Sequence, residues 1–161
     1  MKVLPRDEFD KFVYDRDISK GLSRERALND IATLGGGITL WPEGEIVLSE
    51  GARTRTKLHE LGHKAHGKVR LDRQGADWPE WTWGDTVYNE MLAEKYAWEL
   101  KGKKITHRIG MPAIRTLIYD ENCRPREAVA VVLQVLNQHM GIRAGKKEKE
   151  ELLRWAKRYG R

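Results

Sequence analysis

Apolar residues recur with a helical period over most of this chain, and the period changes to alternation only once. Pro5 to Tyr14 is short and amphipathic. After Ser23, a side chain suited to cap a helix, Ala27, Leu28, Ile31 and Leu34 repeat at three- and four-residue spacing until Gly35, Gly36 and Gly37 end them. The stretch ITLWPEGEIVLSE (38–50) departs from that pattern. β-Favouring residues stand on both sides of Pro42, Glu43 and Gly44, whose turn chemistry predicts a hairpin over about 38–48. Helical spacing resumes from about Gly51 to His66. A loop with Gly75, Pro79 and the cluster WPEWTW (78–83) follows, and Asp85 suits the cap of a helix running to about Lys101. Pro112 and Pro125 fit the first turns of two more helices. The second of these, closed by Gly141, is apolar nearly all round between Ala128 and Leu136, as a buried central helix would be. A charged helix over about Lys146–Tyr159 follows. The pattern predicts an α+β fold, mostly helical, with one small sheet.

At 161 residues the chain suits a single domain, 1–161, able to bury roughly 70% of its unfolded surface. Within it the helices of about 5–34 precede a core of about 38–101, and further helices occupy about 112–159. The lone Cys123 has no partner for an internal disulfide, and no charged, apolar, small-residue run resembling a secretory signal opens the chain. The expected compartment is therefore reducing and cytoplasmic. No apolar run approaches the ~20 residues that span a bilayer, so no membrane partner is expected.

The net charge of +6 is unevenly spread. Residues 143–161 hold eight Lys or Arg against three Glu, whereas residues 75–100 hold six acidic side chains against Lys95 alone. A basic terminal stretch can contact nucleic acid, or it can be the solvated face of a helix.

Candidate chemistry concentrates in TRTKLHELGHKAHGK (54–68), where His59, Glu60 and His63 spell H-E-x-x-H. On a helix, residues four apart share a face with Cβ atoms about 5–6 Å apart. Two imidazoles at that spacing can reach one zinc ion. Glu60 lies about 100° round the helix, where a carboxylate can act as general base instead of as ligand. The plain alternative is a polar helix face. Against it, Leu58, Leu61 and Ala65 form an apolar stripe beside the histidines, which places them where core meets cleft. His66 shares their face but stands about 10.5 Å along the axis from His59, so a role outside the metal site is expected for it.

A catalytic zinc usually has three protein ligands and an open position. The helix DTVYNEMLAEKYAWEL (85–100) offers Glu90 and Glu94, like charges four apart with no cation four residues further on, on a face that includes the small Ala93 and Ala97. Such a face suits a cation held by a neighbouring helix, and either carboxylate could supply the ligand.

HELGH followed by Glu90, Ala93, Glu94, Tyr96, Ala97, Glu99 and Leu100 resembles the gluzincin metallopeptidases, most closely the ImmA/IrrE-type family. The resemblance covers roughly residues 38–101. It implies a zincin-like domain in which a hairpin and a second, Glu-bearing helix pack on the H-E-x-x-H helix. It also implies one zinc ion held by His59, His63 and Glu90, with Glu60 as general base and Glu94 orienting a ligand histidine. Glu94 stands where that family more often has Asn or Asp, and WPEWTW is foreign to its pattern.

The function this implies is zinc-dependent hydrolysis of a peptide or protein substrate. Tyr88, Tyr96, His107 and Tyr119 are the candidates to stabilise the developing oxyanion, with His107 preferred because it follows the metal helices. An extended substrate is expected to pair with one strand of the hairpin. Trp78, Trp81 and Trp83 could line the cleft or anchor their loop to the core. The alternative function is a non-catalytic, zinc-stabilised regulatory or nucleic-acid-binding protein using the basic C-terminal helix.

Overall fold

The computed structural model describes residues 1–41, 43–71 and 81–159. Pro42 of the hairpin turn, and Gly75, Trp78 and Pro79 of the loop, lie outside the described residues. The chain forms two compact units, Met1–Ala65 and His66–Arg161. Mostly helical structure beside a small sheet makes the class α+β, as the pattern predicts. No helix among the described residues is long and apolar enough to cross a membrane.

The first unit runs β1 (Lys2–Leu4), α1 (Arg6–Ser19), α2 (Arg24–Thr33), β2 (Gly37–Leu40), β3 (Glu45–Ser49) and α3 (Thr54–His66), whose last residue passes into the second unit. Ser23 caps α2 as expected, its hydroxyl accepting from the Arg26 N–H at 3.1 Å, an interaction worth about 1 kcal/mol. The hairpin also forms. Ile38 pairs with Val47 and Leu40 with Glu45, and the turn closes with the Gly44 N–H on the Leu40 carbonyl at 2.8 Å. Gly44 takes φ +72°, a conformation that suits glycine.

A third strand accompanies the hairpin. β1 pairs parallel to β3 with Val3 opposite Leu48, giving the order β1-β3-β2. β3 is thus central, and Ile46, Val47, Leu48 and Ser49 are all buried, as a strand covered on both faces requires. Ile38 and Val47 join Phe9 and Val13 of α1 in one apolar cluster. Gly37 and Leu48 face the other way, toward Thr56 and Glu60 of α3.

Two buried acids, Asp17 and Asp30, sit where α1 meets α2. Asp17 is fully buried, with Arg16 Nη1 3.5 Å from its Oδ1, while Asp30 is held by Arg26 Nε at 3.1 Å. Burial, and then the adjoining Asp30 carboxyl, push the Asp17 acid up to about 6 against the lowering pull of Arg16 and Arg26. A carboxyl whose folded pKa exceeds its unfolded value contributes stability below the unfolded value, near 3.8, and that contribution is lost as pH rises through about 6. Asp17→Asn, which mimics the protonated acid, is therefore expected to raise the melting temperature relative to wild type by an amount that grows between pH 4 and pH 7. Thermal melts of both proteins across that range check it, and a pH-independent difference would count against the assignment.

The second unit is a helical assembly of α4 (Trp83–Leu100), α5 (Met111–Asp120), α6 (Pro125–His139) and α7 (Lys146–Tyr159). Its core joins Val87 and Met91 of α4 to Ile114 and Leu117 of α5, Val132 and Leu136 of α6, and Leu152 of α7. A short 3-10 turn (His107–Gly110) packs so closely on α6 that a Cβ at Gly110 would fall 2.5 Å from Val132 Cγ1. α6 is less enclosed than its composition implied. Ala128, Val129, Val132, Val135 and Leu136 are buried, Val131 and Leu133 are half-buried and packed against the same core, and Ala130 is exposed.

α4 begins two residues before Asp85, and its cap is Thr82. The Asp85 N–H donates to Thr82 Oγ1, and Asp85 Oδ2 accepts from the Thr82 N–H at 2.9 Å, which completes a capping box. Asp85 Oδ1 accepts the Leu71 N–H at 2.8 Å. Burial raises the Asp85 acid, but these donors and Arg70 outweigh it and hold its pKa below the usual value. One turn on, Asn89 grips Val69 from both sides: its Oδ1 accepts the Val69 N–H at 2.9 Å and its Nδ2 donates to the Val69 carbonyl at 2.6 Å. Two polar side chains of α4 thus satisfy the backbone of residues 69–71 as a neighbouring strand would.

Candidate metal centre

α3 carries the H-E-x-x-H residues, and helical spacing does what the pattern requires. The His59 and His63 rings stand edge to face with centroids 4.7 Å apart, and both side chains are half-buried. Gly67, at φ +68°, follows the last residue of α3 in the conformation that commonly terminates helices. His66 is exposed and turned elsewhere, its ring 6.0 Å from that of Tyr96.

The apolar stripe expected on α3 is absent. Leu58 and Leu61 are half-buried and Ala65 is exposed, whereas Glu60 and Gly62 are the buried residues. The sheet face toward Glu60 presents Gly37 and Thr39, which leave room for a carboxylate and a hydroxyl to bond to it. Thr39 Oγ1 donates to Glu60 Oε2. The general-base candidate is thus 8% exposed and tethered to β2.

On α4, Glu90 is half-buried and Glu94 almost fully buried. Glu94 Oε1 accepts the Trp98 indole N–H at 3.0 Å. Position 98 lacks a cation, but it does supply a donor. Ala93 and Ala97 beside Glu94 are buried, as the small-residue face predicted.

One donor atom from each of His59, His63 and Glu90 lies within 4.8 Å of the others. Two neutral imidazoles and a carboxylate are also the donor chemistry that a borderline-soft divalent cation such as zinc takes. The residues fit the group that the sequence implies.

The oxyanion candidates occupy varied surroundings in the second unit. His107 Nε2 lies 3.2 Å from Glu151 Oε1. Arg108 Nε donates to the same oxygen at 2.6 Å, and this bond with Arg108 is the main reason the Glu151 acid lies below its usual value. His107 thus takes part in a cluster tying the 3-10 turn to α7. The Tyr88 ring lies 6.2 Å from that of His139, and Tyr119 packs edge to face on Tyr159 at 5.6 Å.

Of the tryptophan cluster, Trp81 is anchored. Its indole N–H donates to Thr86 Oγ1 at 2.8 Å, and Lys68 and Arg70 stand over its ring at 5.8 and 6.0 Å. Trp83 lines a hollow of about 350 Å³ with Leu71, Val131, Gln134 and His139.

No spacing or motif in the sequence points to Thr39. Gly37 was visible only as part of a glycine run that ends a helix, although Gly35 and Gly36 alone take positive φ and Gly37 already belongs to β2. No family model matches the chain, and neither a curated protein nor a solved structure matches it.

Proposed function

We propose that this chain is a zinc metallopeptidase of zincin-like architecture. His59, His63 and Glu90 hold one zinc ion, and Glu60 serves as general base in peptide-bond hydrolysis. The observation that carries this reading is the convergence of three donors, drawn from an H-E-x-x-H helix and a second helix, within 4.8 Å. When bound, zinc supplies Lewis acidity toward water and a peptide carbonyl. The chain's own groups do the rest. Glu60 takes a proton from water as the new C–O bond forms and delivers it to the amine as the C–N bond breaks. Glu94, fixed by Trp98, is the buried acceptor assigned to orient a ligand histidine. The sheet order leaves β2 as an edge and encloses β3, so β2 is the strand of the hairpin on which an extended substrate pairs.

Metal analysis of purified protein, together with cleavage of a quenched fluorescent peptide library, tests the proposal. About one zinc per chain and chelator-sensitive cleavage are expected. Absence of stoichiometric metal overturns the reading. Stoichiometric zinc with no cleavage selects the second one, a zinc-stabilised binding protein. That reading draws on the exposed cations of α7, Lys146, Lys147, Arg154 and Lys157.

A further inference from the structure

We propose that Gly37 and Thr39 of β2 are positioning residues for Glu60, and that together they select which of its carboxylate oxygens takes the proton. Residues two apart on a strand face the same way, and both of these face α3. Gly37 makes room: an added Cβ would lie 3.1 Å from Glu60 Cγ, 3.1 Å from Leu48 Cδ2 and 2.7 Å from Thr56 Cγ2. The alkyl stem of Glu60 therefore crosses the strand where no side chain stands. Thr39 then fixes the end of the side chain. Its hydroxyl lies 3.4 Å from the Glu60 main-chain carbonyl and donates at closer range to Oε2. With Oε2 engaged, Oε1 is the oxygen left to accept a proton from water.

A glutamate has several rotatable bonds and loses considerable freedom when held in one rotamer. Here β2 has already imposed that order before substrate arrives, so the cost is not met during the reaction. The edge strand assigned to substrate and the holder of the base are the same element. The effect on turnover rests on the peptidase reading above, whereas the placement of the carboxylate does not.

The test compares Thr39→Val, which keeps the β-branched shape without the hydroxyl, with Thr39→Ser, which keeps the hydroxyl. Crystal structures, zinc content and the kinetics of a quenched peptide cleaved by wild type are measured for each, and Gly37→Ala is a second route to the same displacement. Thr39→Val is expected to release Glu60 from its rotamer and lower kcat roughly 10- to 100-fold, the range typical of groups that orient a reacting residue. KM and zinc content should be unchanged. Thr39→Ser should restore both position and kcat, and Gly37→Ala should move Glu60 and lower kcat without loss of zinc. An unmoved Glu60 in Thr39→Val overturns the proposal, as does an unchanged kcat or a loss of kcat that merely tracks loss of zinc. Should wild type cleave no peptide, the peptidase reading fails, and the position of Glu60 in the Thr39→Val crystal still decides the placement.

Discussion

Glu60→Gln is expected to leave the fold and the zinc content unchanged and to lower peptide hydrolysis by roughly 10²- to 10⁴-fold, the usual contribution of a positioned acid–base group. The substitution keeps the length of the side chain and an oxygen that can accept from Thr39, so the buried contact with β2 persists. What disappears is the ability to take a proton. Because Glu60 is not one of the three convergent donors, metal binding gives an internal control within the same protein. Single-turnover rates and zinc analysis of the variant measure the two effects separately. A rate within about twofold of wild type would remove Glu60 from the mechanism.

Removal of a ligand should show first in stability. A metal that binds only the folded chain adds about 2.7 kcal/mol when present at a hundred times its dissociation constant. In a protein of this size each kcal/mol moves the melting temperature by about 2–4 °C. Chelation of wild type is therefore expected to lower its melting temperature by about 5–10 °C, and added zinc to restore it. His63→Ala should melt at one temperature with or without zinc and lose stoichiometric metal. His66→Ala should behave as wild type, since His66 lies exposed against Tyr96. Retention of a full zinc equivalent by His63→Ala would sink the ligand assignment, and a comparable loss in His66→Ala would show that the wrong pair of histidines had been chosen.

Those two histidines on one helix are separated by opposite fates, and only one of the reasons is local. Four-residue spacing brings His59 and His63 to 4.7 Å whatever surrounds the helix, and so that pair was readable from the sequence. The hairpin was readable for the same kind of reason, because its turn residues and flanking β-branched side chains act over a few positions. The cap of α2 at Ser23 likewise needs only the three residues that follow it.

Elsewhere local pattern pointed in the wrong direction. Leu58, Leu61 and Ala65 share a face of α3, yet Ala65 is exposed and Glu60 is buried. Periodicity tells which residues lie together on a helix and not what is packed against them. α6 teaches the same lesson with the sign reversed, since its nearly continuous apolar sequence still leaves Ala130 in solvent. Counting cations alone overlooks Trp98 as a partner for Glu94, because a buried carboxylate is equally served by an indole N–H.

By itself the sequence determined roughly where the helices lie, although α1 runs on to Ser19 beyond the expected Tyr14, and it determined the turn of the hairpin, the paired imidazoles and the two acidic candidates on α4, features that depend on contacts within about four residues. Tertiary structure alone decided the parallel pairing of β1 with β3, the grip of Asn89 on Val69 and the tether from Thr39 to Glu60. Each of these joins residues twenty or more positions apart. Which partner such a group meets is set by how whole elements pack and by the demand that buried polar groups find donors and acceptors. No repeat or spacing in the chain encodes that choice.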